Sequence, residues 1–145
     1  MATVNPYLLF NGNCEEAFLF YKSVFGGEFP YIGKFKDMPK EEGCDEVSDA
    51  DADRIMHVSL PIGDTILMGS DSSTRFGDLP FGENFSISIN TESTEEADRI
   101  FNGLSAGGKV EMPMNKTFWG AYFGMFKDKF GINWMVNFDE NQPAK

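Results

Sequence analysis

The sequence lacks any long apolar segment. No stretch of its 145 residues approaches the roughly 18–20 apolar residues that a membrane-spanning helix needs. The start, Met-Ala-Thr-Val-Asn-Pro, has neither a basic region nor an apolar run, so we expect no secretory signal there. Only two cysteines are present, Cys14 and Cys44, and neither belongs to a CxxC motif. We therefore expect the reducing cytoplasm as the compartment, with a Cys14–Cys44 disulfide as the less favoured alternative.

Positive charge is also scarce. Twelve Lys and Arg residues face 23 Asp and Glu residues, which gives a net charge of −11. This balance argues against nucleic acid and anionic membranes as partners, and its simplest role is solubility. No G-x-G-x-x-G loop follows an apolar run, which argues against a nucleotide site. The 15 phenylalanines, by contrast, are enough to build a sizeable core in one domain over residues 1–145.

The two halves of the sequence repeat one pattern. Three pairs of segments match in order and type: Glu15–Ala17 with Glu95–Ala97, Gly26-Gly27 with Gly107-Gly108, and residues 63–68 with residues 131–136. The offset of the third pair is shorter because the first half carries an insertion around residues 38–53. Such internal repetition predicts two copies of one structural unit.

Each copy is predicted to contain one strand, one helix and three further strands. Residues 7–10 and the alternating Phe85, Ile87 and Ile89 indicate the first strands. Asn13 in one copy, and Ser93 or Thr94 in the other, are candidate N-caps before acidic first turns, and the Gly-Gly pairs end the helices. The later strands are expected at about 28–36, 54–61 and 65–70, then at 109–116, 120–127 and 132–138.

The predicted fold class is therefore α+β, with tandem βαβββ modules. Module one covers about residues 1–70, a linker about 71–83, and module two about 84–140. One helix cannot easily cover a sheet that stands alone. We expect the two copies to form one curved mixed sheet with the helices on its outer face and a cleft on its inner face.

The duplicated βαβββ pattern resembles the vicinal oxygen chelate superfamily, which includes glyoxalase I, extradiol dioxygenases and bleomycin-resistance proteins. Within it the chain is most similar to the PhnB-like branch. The motifs that carry the resemblance are Asn11-Gly12-Asn13-Cys14-Glu15-Glu16-Ala17, Ile55-Met56-His57-Val58-Ser59-Leu60, Ser70-Asp71, Phe118-Trp119-Gly120, Asp128-Lys129-Phe130-Gly131 and Trp134-Met135-Val136-Asn137. Some members carry a demethylubiquinone methyltransferase name, but no motif here supports methyl transfer.

Metal-dependent members of the superfamily hold a divalent ion with His and Glu from four strands. The matching positions in this chain are Asn5 or Pro6, Leu67, a residue near Asn84, and Met135. Leu67 offers no ligand atom and Met135 offers only a soft thioether, whereas such ions take imidazole nitrogen or carboxylate oxygen. The resemblance thus predicts a fold without its metal site, and we expect no cofactor.

Other chemistry is limited to a few residues. His57 shares a strand with Ser59, and the apolar set Met56, Val58 and Leu60 should face the helices, which leaves His57 on the cleft face. It is a candidate general acid or base, although a histidine that only hydrogen-bonds in the cleft lining is the favoured reading. Cys14 opens a helix, where a thiolate would be stabilised, but a small buried residue is the simpler interpretation.

Two further interpretations complete the candidate site. The alternating acidic residues at 49, 51 and 53 lack the Gly and Glu of an EF-hand loop, so we read them as a solvated loop. Strand parity places Thr65, Leu67, Ser86, Ser88, Asn133, Met135 and Asn137 on the cleft face. Trp119 either walls the cleft or lies in a dimer contact. The candidate ligand-binding residues are His57, Ser59, Leu67, Ser86, Trp119 and Met135.

Three functions follow from these observations. The favoured one is a small-molecule binding protein that holds a partly apolar ligand in the cleft without a metal. The second is an enzyme of the superfamily, of lyase, dioxygenase or isomerase type, that uses His57 or Cys14, with or without an external metal. The third is a dimeric interaction module with no ligand. Resemblance to the superfamily also implies a homodimer, because its members often build the cleft across two chains.

Overall fold

The structure is a computed structural model that describes residues 4–37, 51–74, 80, 82, 85–118 and 120–139. The chain divides into two compact units, Met1–Pro80 and Phe81–Lys145. The elements of the first unit are β1 (Tyr7–Phe10), α1 (Cys14–Phe25), β2 (Tyr31–Lys34), a short 3-10 helix (Phe35–Asp37), β3 (Ile55–Ile62) and β4 (Thr65–Asp71). Those of the second are β5 (Ile87–Asn90), α2 (Thr94–Ser105), β6 (Lys109–Lys116), β7 (Ala121–Lys127) and β8 (Asn133–Asp139).

Both units are βαβββ modules, which confirms the predicted α+β class and its duplication. Each module forms a four-stranded mixed sheet, in the order β1-β4-β3-β2 or β5-β8-β7-β6. In both sheets the first strand runs parallel to the last strand of its module, and the remaining pairs are antiparallel. A hairpin turn cannot join two parallel strands, and in each module the helix and the other two strands lie between this pair along the chain.

One face of each sheet packs against the helix of its own module. In α1, Cys14, Ala17, Phe18 and Tyr21 are buried, and in α2 the buried residues are Ala97, Ile100, Phe101 and Leu104. Both sets follow the i, i+3, i+4, i+7 spacing that makes a single apolar stripe. Gly69 on β4 allows the close approach of α1, since a Cβ there would lie 2.7 Å from the Phe18 ring.

The two helices begin differently. Ser93 caps α2 as predicted, because its hydroxyl accepts a hydrogen bond from Glu96 N–H at 3.1 Å. The prediction that the Asn13 side chain caps α1 is wrong, since Asn13 makes no side-chain cap bond. Asp71 from the end of β4 does this work instead: its Oδ1 accepts from the backbone N–H groups of Gly12 and Cys14, at 2.9 and 3.0 Å. Gly26 and Gly27, both with positive φ, end α1 as predicted.

Candidate functional site

The face of the first sheet that points away from α1 is here called the first open face. Strand register places its members: Tyr7 and Ser59 both pair with Met68, Tyr31 pairs with Ser59, and Gly33 pairs with His57. Paired residues on neighbouring strands project to the same side of a sheet. His57 and Ser59 therefore lie on one face, opposite the buried Val58 and Leu60, as the sequence predicted.

Two tyrosines flank the histidine on this face. The Tyr7 hydroxyl is hydrogen-bonded to Nδ1 of His57 at 3.1 Å, and the two ring centroids lie 5.6 Å apart. The Tyr31 ring lies on β2 with its centroid 5.8 Å from the imidazole. Tyr7 and Tyr31 are 46% and 47% exposed, so both rings meet solvent. We call Tyr7, Tyr31 and His57 the His57 cluster.

Gly33 gives the Tyr31 ring its position. A Cβ at Gly33 would lie 2.5 Å from the Tyr31 hydroxyl and 3.0 Å from Cζ of that ring. The ring therefore lies along its own strand, over the place where a side chain at position 33 would stand. Any larger residue there would force Tyr31 to move away from its present place beside His57.

The prediction that Leu67 shares the face of His57 is wrong. Leu67 is 2% exposed and pairs with Leu60, so it points toward α1. The two-residue turn at Gly63-Asp64 sets this register, because it pairs Ile62 with Thr65. Met68, the next residue, stands on the first open face instead.

In the second sheet the predicted orientations hold. Ser88 pairs with Met135 and Asn90 with Asn137, whereas Trp134 and Val136 are buried and pair with Ile87 and Ile89. Met135 therefore lies on the face that points away from α2, here called the second open face, and Ser86 is exposed just before β5. Whether these residues bind a ligand remains a prediction. Trp119, Cys44 and Asn84 lie outside the described residues.

The Cys14 thiol does not fit the role of a nucleophile. It occupies the first turn of α1 and is fully buried. Burial raises the pKa of this thiol far above its ordinary value, and the carboxylates of Asp71 and Glu15 raise the pKa further. These effects outweigh the helix N-terminus, which by itself would favour a thiolate. The alternative of an enzyme that uses Cys14 is not supported.

The buried acidic residues have structural partners. Asp51 accepts hydrogen bonds from the Ser73 hydroxyl and the Thr74 N–H, at 2.7 and 2.8 Å, and is 7% exposed. The prediction that Asp51 belongs to a solvated loop is therefore wrong. Asp53, in contrast, is exposed and paired with Lys36. Position 49 lies outside the described residues.

Comparison with known proteins places this geometry in a family. The sequence matches the family described as 3-demethylubiquinone-9 3-methyltransferase over residues 2–137. It is 34% identical to Protein YjdN of Escherichia coli, over 98% of this chain and 99% of that protein. This chain belongs to the PhnB-like family.

Solved structures agree with that membership. Protein PA1353 from Pseudomonas aeruginosa is 42% identical, with a TM-score of 0.82 over 96% of this chain and 98% of that one. The fosfomycin resistance protein FosX from Listeria monocytogenes is 12% identical, with a TM-score of 0.64 over 97% and 95% of the two chains. At that identity the likeness shows the fold alone. The PhnB-like chain thus shares the glyoxalase-type fold of the vicinal oxygen chelate superfamily.

At the three described metal positions of the superfamily, the side chains of this PhnB-like protein offer a divalent ion neither imidazole nor carboxylate; the fourth, near Asn84, lies outside the described residues. The Asn5 side-chain oxygen accepts a hydrogen bond from Ile66 N–H at 3.2 Å, and Leu67 is an aliphatic residue that faces α1. Met135 is on the second open face but carries a thioether. Across the described part of the chain, no three His, Cys, Asp or Glu side chains are grouped as ligands.

None of the described helices is long and apolar enough to cross a membrane.

Sequence reasoning missed both tyrosines of the His57 cluster. Tyr7-Leu8-Leu9-Phe10 is apolar throughout, so it contains no period-two signal that would separate the exposed Tyr7 from the buried Leu8. The pairing of β1 with β4 joins residues about 60 positions apart, as in Tyr7 with Met68. No local pattern predicts such a contact. For Tyr31 the sequence does contain a signal: Gly33, two residues further along the same strand face, has no side chain and leaves room for the Tyr31 ring.

Proposed function

We propose that this PhnB-like protein binds a small, partly apolar ligand against the first open face, without a divalent metal. The observation that supports this most directly is the His57 cluster, in which an imidazole lies beside two half-exposed tyrosine rings. Its ring faces offer apolar contact, while the imidazole and hydroxyl groups offer hydrogen bonds of fixed direction. Small-molecule sites typically combine these two kinds of surface.

The neighbours of the cluster extend both kinds of surface. Met68 on the adjacent strand β4 and Leu9 on β1 add apolar area to the same face, and Ser59 adds a hydroxyl two residues along β3. Nδ1 of His57 is engaged with Tyr7, and Nε2 has no hydrogen-bond partner among the described residues. A ligand with an apolar ring or chain and one polar group, such as a hydroxyl, carbonyl or carboxylate, matches this set. Ser86 and Met135, on the second open face, stay predicted ligand-binding residues within their own module.

A screen of small molecules by thermal shift, on metal-stripped and metal-loaded protein, tests this proposal. We expect apolar compounds with one polar group to raise the melting temperature equally in both preparations. Elemental analysis of the purified protein should find no stoichiometric Zn, Ni, Mn or Fe. One such ion per chain, or a ligand that binds only after metal loading, would contradict the metal-free proposal.

Matched variants locate the ligand. Tyr7→Phe removes the hydroxyl bound to His57, whereas Tyr122→Phe removes a hydroxyl that donates to Asp98 in the other module at 2.6 Å. We expect the first variant, and His57→Ala, to weaken binding of a screened ligand, while Tyr122→Phe binds it normally. Equal binding by all three variants would place the ligand elsewhere.

The second candidate function is general acid–base catalysis by His57. The hydrogen bond between the Tyr7 hydroxyl and Nδ1 favours it, since this bond fixes the orientation of the ring and leaves Nε2 without a partner among the described residues. If a screened compound is turned over, His57→Gln should abolish turnover without a change in melting temperature. A ligand that binds but is never converted supports the binding protein instead, and a screen without any ligand supports an interaction module.

We also propose that the protein is a homodimer of the cytoplasm. Resemblance to the superfamily supports the dimer. The free, buried Cys14 suits a reducing compartment. Light scattering that gives the mass of one chain at micromolar concentration would contradict the dimer.

A further inference from the structure

Three methionines form one row across the second sheet. Met112 on β6 pairs with Met125 on β7, and Met125 pairs in turn with Met135 on β8. All three therefore project from the second open face, away from α2. Met112 is 47% exposed, and the other two are half-buried. Solvent thus reaches this row from outside the core.

The spacing of the row allows its three sulfur atoms to converge. Directly paired residues on neighbouring strands have Cβ atoms about 4.5–5.5 Å apart. Methionine is unbranched and has three rotatable side-chain bonds, so the outer two can lean toward Met125 without moving the backbone. A β-bulge on either side of Met112 separates it from Met114, whose sulfur instead lies on the side of Gly124 that faces Phe101. Met112 is thereby directed to the row.

The chemistry of the row is selective. Thioethers are soft, uncharged ligands that favour Cu(I) over hard cations such as Mg²⁺ or Ca²⁺. Ser88, which continues the row on β5, and the next row of Asn115, Phe123, Asn137 and Asn90 contain no carboxylate. Lys127, two residues from Met125 on the same face, disfavours a doubly charged ion more than a singly charged one.

We propose that Met112, Met125 and Met135 form a binding site for a soft, singly charged metal ion of the Cu(I) and Ag(I) class. This site is not the divalent site of the superfamily. The two share only one position, that of Met135. It does not rest on the ligand proposed for the His57 cluster. Because thioethers carry no proton to lose, binding should be nearly independent of pH between 6 and 8.

Methyl NMR of methionine tests the proposal directly. The chain is labelled at the methionine ε-methyl carbons, treated with iodoacetamide to block any accessible thiol, and titrated with Ag(I) in chloride-free buffer. Resonances are assigned with the single variants Met112→Leu, Met125→Leu and Met135→Leu, which keep the apolar volume. We expect these three resonances to shift together and to saturate at one equivalent, while the other five of the eight methionines do not shift.

Affinity separates a built site from scattered sulfur atoms. Mutation of residues that only support metal ligands typically lowers metal affinity by roughly 10–100-fold. Because Met125 is itself a proposed ligand, Met125→Leu should weaken Ag(I) binding by at least about tenfold. Met114→Leu, on the same strand as Met112 but facing the other side, is the matched control and should bind normally. Unshifted row resonances, parallel shifts of all methionines, or full affinity in Met125→Leu would each overturn the proposal. Melting curves of the variants confirm that each is folded.

Discussion

At Asp71 a single carboxylate joins three separate segments of the first module. Its Oδ1 accepts from Gly12 and Cys14, and its Oδ2 accepts from Ile55 N–H at 2.9 Å. The residue is 4% exposed and its bonds to Cys14 and Ile55 are buried, so water cannot replace these two bonds. Asp71 thus holds the start of α1 and the start of β3 to the end of β4, which is a structural role.

Removal of this carboxylate should therefore destabilise the fold. Asp71→Ala leaves the buried N–H groups of Cys14 and Ile55, and the partly buried N–H of Gly12, without an acceptor. We therefore expect a loss of about 2–4 kcal/mol in the free energy of unfolding. Urea denaturation measures it. The control is Asp53→Ala, which removes an exposed partner of Lys36 and should leave the midpoint nearly unchanged. A similar midpoint for both variants would contradict the role of Asp71.

Cys14 should be unreactive as long as the chain is folded. Its pKa is raised by burial and by Asp71 and Glu15, so little thiolate is present at pH 8. We expect iodoacetamide to modify Cys14 only at the rate at which the module unfolds, as followed by peptide mass analysis. Because the unfolded thiol ionises above about pH 8.5 and the folded one does not, the free energy of unfolding should also fall above that pH. Rapid modification under native conditions would show that the thiol is accessible.

At the level of whole elements, β4 shows where two faces can be confused. Ile66, Leu67 and Met68 are all apolar, yet only Leu67 is buried against α1. Leu67→Ala should therefore cost about 2–5 kcal/mol in the free energy of unfolding. Met68→Ala, its neighbour on the first open face, should cost about 1 kcal/mol or less. Urea denaturation of the pair decides the register, and the opposite order of stability would restore the orientation predicted from sequence.

The sequence predicted elements with a local pattern and missed contacts that depend on distant strand pairing. Both helices were predictable because Cys14–Tyr21 and Ala97–Leu104 repeat one helical spacing and glycines follow them. The orientation of β8 was predictable because Trp134 and Val136 alternate with polar or half-exposed neighbours. The His57 cluster was not, since Tyr7 reaches His57 through a strand pairing that no local pattern encodes.

For the molecule as a whole, the charge of −11 determines which large partners are repelled. Phosphate backbones attract proteins through clustered Lys and Arg, of which this chain has 12 against 23 acidic residues. We expect no binding of a fluorescent oligonucleotide at low salt, where electrostatic attraction is strongest, as measured by anisotropy. Saturable binding that weakens with added salt would contradict this expectation.

The two modules also differ in the sequence separation between the start of each helix and the side chain that caps it. The start of α2 is held by Ser93 and Glu96, only three residues apart, whereas that of α1 depends on Asp71, 57 residues beyond Cys14. Local contacts form early in folding, while distant ones await closure of a long loop. During refolding, α2 should therefore gain protection from pulse-labelled hydrogen exchange before α1. A sequence duplicated within one chain would then acquire its two helices at different times.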